Sequence, residues 1–251
     1  MGFLVVGGST FCAVLGLSLV RRRFPAAVLE RNHQVAGFFI GVMGTIYAVL
    51  LAFVVSVLWS QYQQASVIAT QEANEIGDLS RLIKGFKEPL QSQIRGELIT
   101  YTKSVVEQEW PDMAKGRENH TSWIALQELW TTFRNIEPQT PRENAIYTEA
   151  LGRLSSLSDS RRLRLHASHS KVPVVMWALL WGGAATTILF TYFFGAASFR
   201  SQALMTASLA ALVSFILFLV LVLDRPFAGD IRVPPEAFQR ELVRIQSFAT
   251  E

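Results

Sequence analysis

Four stretches of this chain carry no charged side chain over lengths that a helix needs to cross a bilayer. Gly2–Val20 runs 19 residues without Asp, Glu, Lys or Arg, Val35–Ser60 runs 26, Val172–Phe199 runs 28 and Ser201–Leu223 runs 23. A helix rises about 1.5 Å per residue, so about 20 apolar residues cross a hydrocarbon core roughly 30 Å thick. A soluble chain of 251 residues has too little other protein to wrap four uncharged helices of this length. The blocks therefore read as transmembrane helices at 3–20, 35–59, 173–194 and 203–223.

The first block is followed, not preceded, by Arg21, Arg22 and Arg23. A secretory signal has the opposite order, so this block reads as an uncleaved membrane anchor. Cys12 is the single cysteine and can close no internal disulfide. The net charge of +3 is dispersed, and no basic stretch interleaved with aromatics marks a nucleic-acid partner.

Between the second and third spans lies a hydrophilic segment, 61–171, with helical periodicity. Apolar residues recur at Tyr62, Ala65, Ala69, Ala73, Ile76, Leu79, Ile83 and Phe86. Neither proline nor glycine separates them from the second span before Gly77, which predicts one helix over 35–86, ended by Pro89. A second helix is expected over Leu90–Glu109, stopped at Trp110-Pro111, and a third over Ser122–Asn135. The run Thr140-Pro141-Arg142-Glu143 combines an N-cap, a proline at N1 and a capping-box glutamate, and predicts a helix to about His169. Pro173 is expected in the first turn of the third span.

After Asp224 an amphipathic helix is expected through Phe238, Leu242, Ile245 and Phe248. The expected fold is an all-α integral membrane protein with four transmembrane helices and a helical extramembrane domain between spans 2 and 3. Its segments are 1–60 (spans 1 and 2), 61–171 (the helical domain), 172–223 (spans 3 and 4) and 224–251 (a C-terminal tail with a short helix).

No pattern supports catalysis: there is no phosphate loop, nucleophile elbow or HExxH. His166 and His169 share a helical face, but the surrounding arginines oppose a cation, so neither a metal nor a cofactor is expected. The second span is more informative. Gly37, Gly41 and Gly44 read as helix-packing positions, and with Ala48, Ala52 and Ser56 they make a stripe of small residues. Such a stripe lets helices approach closely in lipid. None of the spans carries a charged residue at mid-membrane depth, and such residues are the usual mark of a coupled transporter. That leaves an apolar-necked channel, a scaffold or a sensor.

Arg153, Arg161, Arg162, Arg164 and Lys171 precede the third span. Of these, Arg161, Arg162 and Arg164 are candidates for attracting anions or lipid headgroups. The arginines of the short links favour a cytoplasmic location for those links, but this second basic group weighs the other way, so the side of 61–171 stays open.

The block Gly37–Leu82 with its Glu72-Ala73-Asn74, "YTKSVVEQEWPDMAKG" at 101–116, "RRLRL" at 161–165, "VPVVMWALLWGG" at 172–183 and "LDRPFAGDIRVPPEAFQ" at 223–239 together resemble the bacterial bestrophin-like membrane protein family. That family was long catalogued only as a domain of unknown function. Asp224, Arg225, Pro226, Phe227 and Gly229 form its most specific motif here, and Gln108 departs slightly from it. The stretch Ala52–Tyr62 is more distantly similar to the second membrane helix of the bestrophin chloride channels.

The resemblance implies a multi-pass protein of the bacterial inner (plasma) membrane. Its partners would be the lipid bilayer, further copies of itself (a homo-oligomer, pentameric by resemblance) and an inorganic anion such as chloride. It also implies a hydrophobic pore neck at Val49 and Phe53, with Ala48, Ala52 and Ser56 near them. A non-conducting scaffold or stress sensor, whose helical domain binds a partner, is the alternative. Asp224 is expected to pair with Arg161, Arg162 or Arg164.

Overall fold

The computed structural model of the chain describes residues 2–24, 33–117, 119–193, 198–229 and 231–247. No strand occurs among them, so the fold is all-helical. The helices are α1 (Gly2–Arg23), α2 (His33–Leu82), α3 (Leu90–Ser104), α4 (Trp110–Ala114), α5 (Thr121–Arg134), α6 (Pro141–His169), α7 (Val174–Tyr192), α8 (Phe199–Leu223) and α9 (Glu236–Ser247). Helices long and apolar enough to cross a membrane account for all four expected spans. Residues 1–59 and 171–224 form one compact unit, and residues 60–170 and 225–251 form the other. Expected as a tail, the segment after Asp224 instead groups with the helical domain. Phe248, the last member of its expected stripe, lies outside the described residues.

In the membrane unit, α1 packs along α8. Ala13 and Leu17 of α1 are buried, and Ser9 Oγ donates to Ser214 Oγ at 2.6 Å. The Tyr192 hydroxyl of α7 donates to the Ala13 carbonyl at 2.8 Å, directly over Gly16. Small residues and interhelical hydrogen bonds are the means by which helices associate where the hydrophobic effect offers little. Pro173 is the N-cap of α7 and so lies just outside its first turn. There its missing amide withholds no helix hydrogen bond.

The helical unit is built on residues 60–82 of α2, which bury Ala65, Ala69, Ala73, Ile76 and Leu79 along one stripe. The α-helix ends at Leu82, earlier than the expected Phe86, and passes into a 3₁₀ turn, Ile83–Gly85. Gly85 sits so close to Ile146 that a Cβ there would come within 2.5 Å of its Cδ1. At Thr140 the cap forms as expected. Its Oγ1 accepts from the Glu143 amide at 3.1 Å, while the Glu143 carboxylate accepts from the Gln139 amide at 2.9 Å.

Trp110-Pro111 does not stop the chain's helical course. The segment Val105–Glu109 forms a π-helical turn, and α4 continues from Trp110 to Ala114. A proline ring collides with the carbonyl four residues back in a regular helix. The wider π turn immediately before Pro111 relieves that collision and rotates Glu109 and Trp110 inward together.

Candidate functional site

The expected pore helix, residues 37–59 of α2, presents three separate faces. Tyr47, Leu51, Val54 and Leu58 recur at spacings of four and three, and all are buried. The Tyr47 hydroxyl donates to the Leu180 carbonyl of α7 at 2.8 Å. Its ring lies over Gly183, where a Cβ would sit 2.4 Å from two ring carbons. This face anchors α2 to α7.

The second face carries the small residues. Gly41, Ala48, Ala52 and Ser56 are exposed, and Gly37 and Gly44 are half-buried. A Cβ at Gly41 or Gly44 would meet nothing within 4 Å. Gly44, Ala48, Ala52 and Ser56 form one wall of an open apolar groove of about 640 Å³, and Leu212 and Ile216 of α8 stand opposite. The third face is bulky: Phe39, Val42, Ile46, Val49 and Phe53 are all exposed, Val49 and Phe53 at 65% each. Residues four apart on a helix are displaced by only about 40°, so these five share one stripe. Val49 and Phe53 thus stand on the bulky face, whereas Ala48 and Ala52, grouped with them in sequence, turn toward the groove.

The Asp224 motif is distributed among local structural tasks. Asp224 closes α8, and its Oδ1 accepts the Val172 amide at 2.6 Å, just ahead of α7. A carboxylate at a helix N-terminus is favoured by the helix dipole. Pro226 accepts the Val233 amide on its carbonyl at 2.8 Å, and Phe227 packs edge-to-face on Trp110 at 5.4 Å. Gly229 takes φ 81°, a left-handed conformation that disfavours any side chain. Arg225 is exposed.

The arginines expected to face headgroups are mostly elsewhere, and this corrects the sequence reading. Arg164 is 0% exposed and Arg161 6%, while only Arg162 is exposed, beside Asp159. Arg164 Nε donates to Glu72 Oε2 at 2.7 Å, and its Nη2 donates to Glu72 Oε1 at 3.0 Å and to Glu109 Oε1 at 2.5 Å. Arg161 Nη2 donates to Glu109 Oε2 at 2.5 Å, and the Tyr101 hydroxyl donates to Glu72 Oε1 at 2.7 Å. The guanidinium of Arg164 also lies over the rings of Trp110 (5.2 Å) and Phe238 (5.6 Å). Inside the helical unit, Arg161 thus pairs with Glu109, and Arg164 with both Glu72 and Glu109.

Two buried cations meet two buried carboxylates, so the cluster is neutral as a whole. Burial by itself lowers the Arg164 pKa, but the Glu72 and Glu109 carboxylates outweigh it and hold the guanidinium above its ordinary value. Burial, and then the charge of Glu72, push the Tyr101 phenol well above its ordinary value. Glu72, Tyr101, Glu109 and Trp110 were not singled out as site residues from sequence. Glu72 could have been, because it follows Ala69 by three in the buried stripe of α2, where a solvated glutamate has no place.

Residues 7–238 match the family model described as the Bestrophin-like domain. Several solved structures share the fold. One, described as a mutant form of a membrane protein, aligns with a TM-score of 0.68 at 14% identity, covering 94% of this chain and 96% of that one. Two mutant forms of a bacterial bestrophin homologue from Klebsiella pneumoniae align with TM-scores of 0.64 and 0.63 at 13% and 14% identity. They cover 96% and 95% of this chain and 99% of each homologue chain. No curated protein matches the sequence.

Proposed function

The chain belongs to the Bestrophin-like family, and from that premise we propose that it assembles into an oligomeric membrane channel passing small anions such as chloride. The observation that carries this reading is the third face of α2. Val49 and Phe53 are large, apolar and 65% exposed, although α2 has a separate face for its own subunit and a separate small-residue face. A ring of copies, pentameric by resemblance, would bring the small face and its groove against the next subunit and turn Val49 and Phe53 to a shared axis. There they would form an apolar neck of the kind that gates by dewetting. The bilayer would be the bacterial inner membrane, crossed several times.

The test is chloride flux from liposomes containing the purified protein, with Phe53→Ala alongside. Flux above empty liposomes, altered by Phe53→Ala, supports the channel. Silence from both proteins refutes it. A second reading, a non-conducting scaffold, draws on Trp123, Ile124 and Leu163, which stand exposed on the helical unit. An assembled oligomer without flux would favour it.

A further inference from the structure

Next to the buried ion cluster, the helical unit opens a pocket of about 550 Å³. Arg161, Leu165 and His166 of α6 line it, with Trp123 of α5 and Met113 and Arg117 from the α4 end. The two buried arginines differ in one respect. Every side-chain nitrogen of Arg164 finds an acceptor, including the Met113 sulfur, 3.1 Å from Nη1. Arg161 is 6% exposed and spends one nitrogen on Glu109, while its Nε, wholly buried, has no acceptor among the described residues. A guanidinium carries five N–H donors in a planar fork, so most of the hydrogen-bonding capacity of Arg161 is unused. The same group lies 5.9 Å from the ring of Trp123, which is half-exposed on the pocket wall.

We propose that this pocket binds a small organic anion, a carboxylate carried on a compact apolar or aromatic body. The carboxylate meets Nη1 of Arg161, the outer nitrogen that Glu109 does not hold, in a charge-assisted hydrogen bond. The body lies on Trp123 and Leu165. Glu109 on the wall does not repel the ligand, because Arg161 and Arg164 both neutralise it. Arg117 is held by Asp112 at 3.1 Å and adds a second, exposed guanidinium at the rim. A bare inorganic anion would use the arginine but leave the apolar wall wet, so the organic acid is the better fit. The volume lies within the usual range for small-molecule sites.

The test is calorimetric titration of the purified full-length protein with benzoate, acetate, sulfate and the neutral isostere benzamide. The expected result is saturable benzoate binding, tighter than acetate or sulfate, with benzamide silent. Arg161→Gln and Trp123→Ala should each weaken benzoate about tenfold or more. Trp123 is half-exposed, so its variant keeps the fold and covers the case in which Arg161→Gln does not. Benzamide binding as well as benzoate, full affinity in Trp123→Ala, or no saturable binding of any anion overturns the proposal. So does benzoate binding that appears only after the oligomer is dissociated, because a side chain of a second copy would then be the natural occupant.

Discussion

Removing the Arg164 guanidinium should strongly destabilise the helical unit. In Arg164→Met, Glu72 loses two hydrogen bonds, at 2.7 and 3.0 Å, and retains only the neutral Tyr101 hydroxyl, while remaining fully buried. Glu109 retains Arg161. One carboxylate is thus left buried without a counter-charge, and breaking a buried pair from one side costs about 3–5 kcal/mol. The lost stacking over Trp110 and Phe238 acts in the same direction. At about 2–4 °C per kcal/mol for a protein of this size, the melting midpoint should fall by roughly 6–20 °C. Thermal melting followed by tryptophan fluorescence in detergent measures the shift. Arg164→Lys should fall between the variant and the parent, because an ammonium keeps the charge but lacks the planar fork that serves both carboxylates. Arg162→Met, at an exposed site paired with Asp159, should move the midpoint hardly at all. If Arg164→Met melts with Arg162→Met, or loses flux with an unchanged midpoint, the cluster is not the structural keystone described.

Three further outcomes follow. Tyr101→Phe should remove part of the alkaline destabilisation: the folded phenol pKa is raised, so its contribution is complete below about pH 10 and is lost as the pH climbs toward the folded value. Comparing melting midpoints of the two proteins from pH 8 to pH 11, a window that brackets the ordinary phenol value of about 10, checks the sign. Gly183→Ala would drive a Cβ to 2.4 Å from the Tyr47 ring and force α2 and α7 apart, at a cost of about 1–3 kcal/mol, read as a lower melting midpoint. Thr140→Ala deletes the acceptor for the Glu143 amide and should cost about 1 kcal/mol, with the loss of protection in amide exchange confined to the first turn of α6.

What could be read from sequence followed the distance over which each signal acts. The spans are visible because lipid forbids charge over a whole helix, a constraint written into every residue of Gly2–Val20 or Ser201–Leu223. The cap at Thr140 is visible because it is closed within four residues. The π turn at Val105–Glu109 is not, because Pro111 reads locally as a stop, and only the burial of Glu109 and Trp110 against distant partners favours an extra residue in the turn. The basic run around Arg161 misled for the same reason. Its charges looked like a solvated face because the carboxylates that neutralise them lie 52 and 92 residues away.

Four of the five family-like blocks meet in space within the helical unit, and the fifth, 172–183, belongs to the membrane unit. Glu72 comes from the Glu-Ala-Asn block, Tyr101, Glu109 and Trp110 from the Tyr-to-Gly block, Arg161 and Arg164 from the basic block, and Phe227 and Phe238 from the final block. All are buried around one guanidinium or the ring beside it. The exposed face of Val49 and Phe53 is under no such mutual constraint, since the proposed neck asks only for bulk and apolarity, which Val, Ile, Phe or Leu supply equally. A buried ion network tolerates no such exchange, because each lost partner leaves a charge or donor stranded. Most of the motifs that identify this chain therefore mark the framework of its helical unit. The proposed conduction path runs along a face whose residues, taken singly, are among the least distinctive in the sequence.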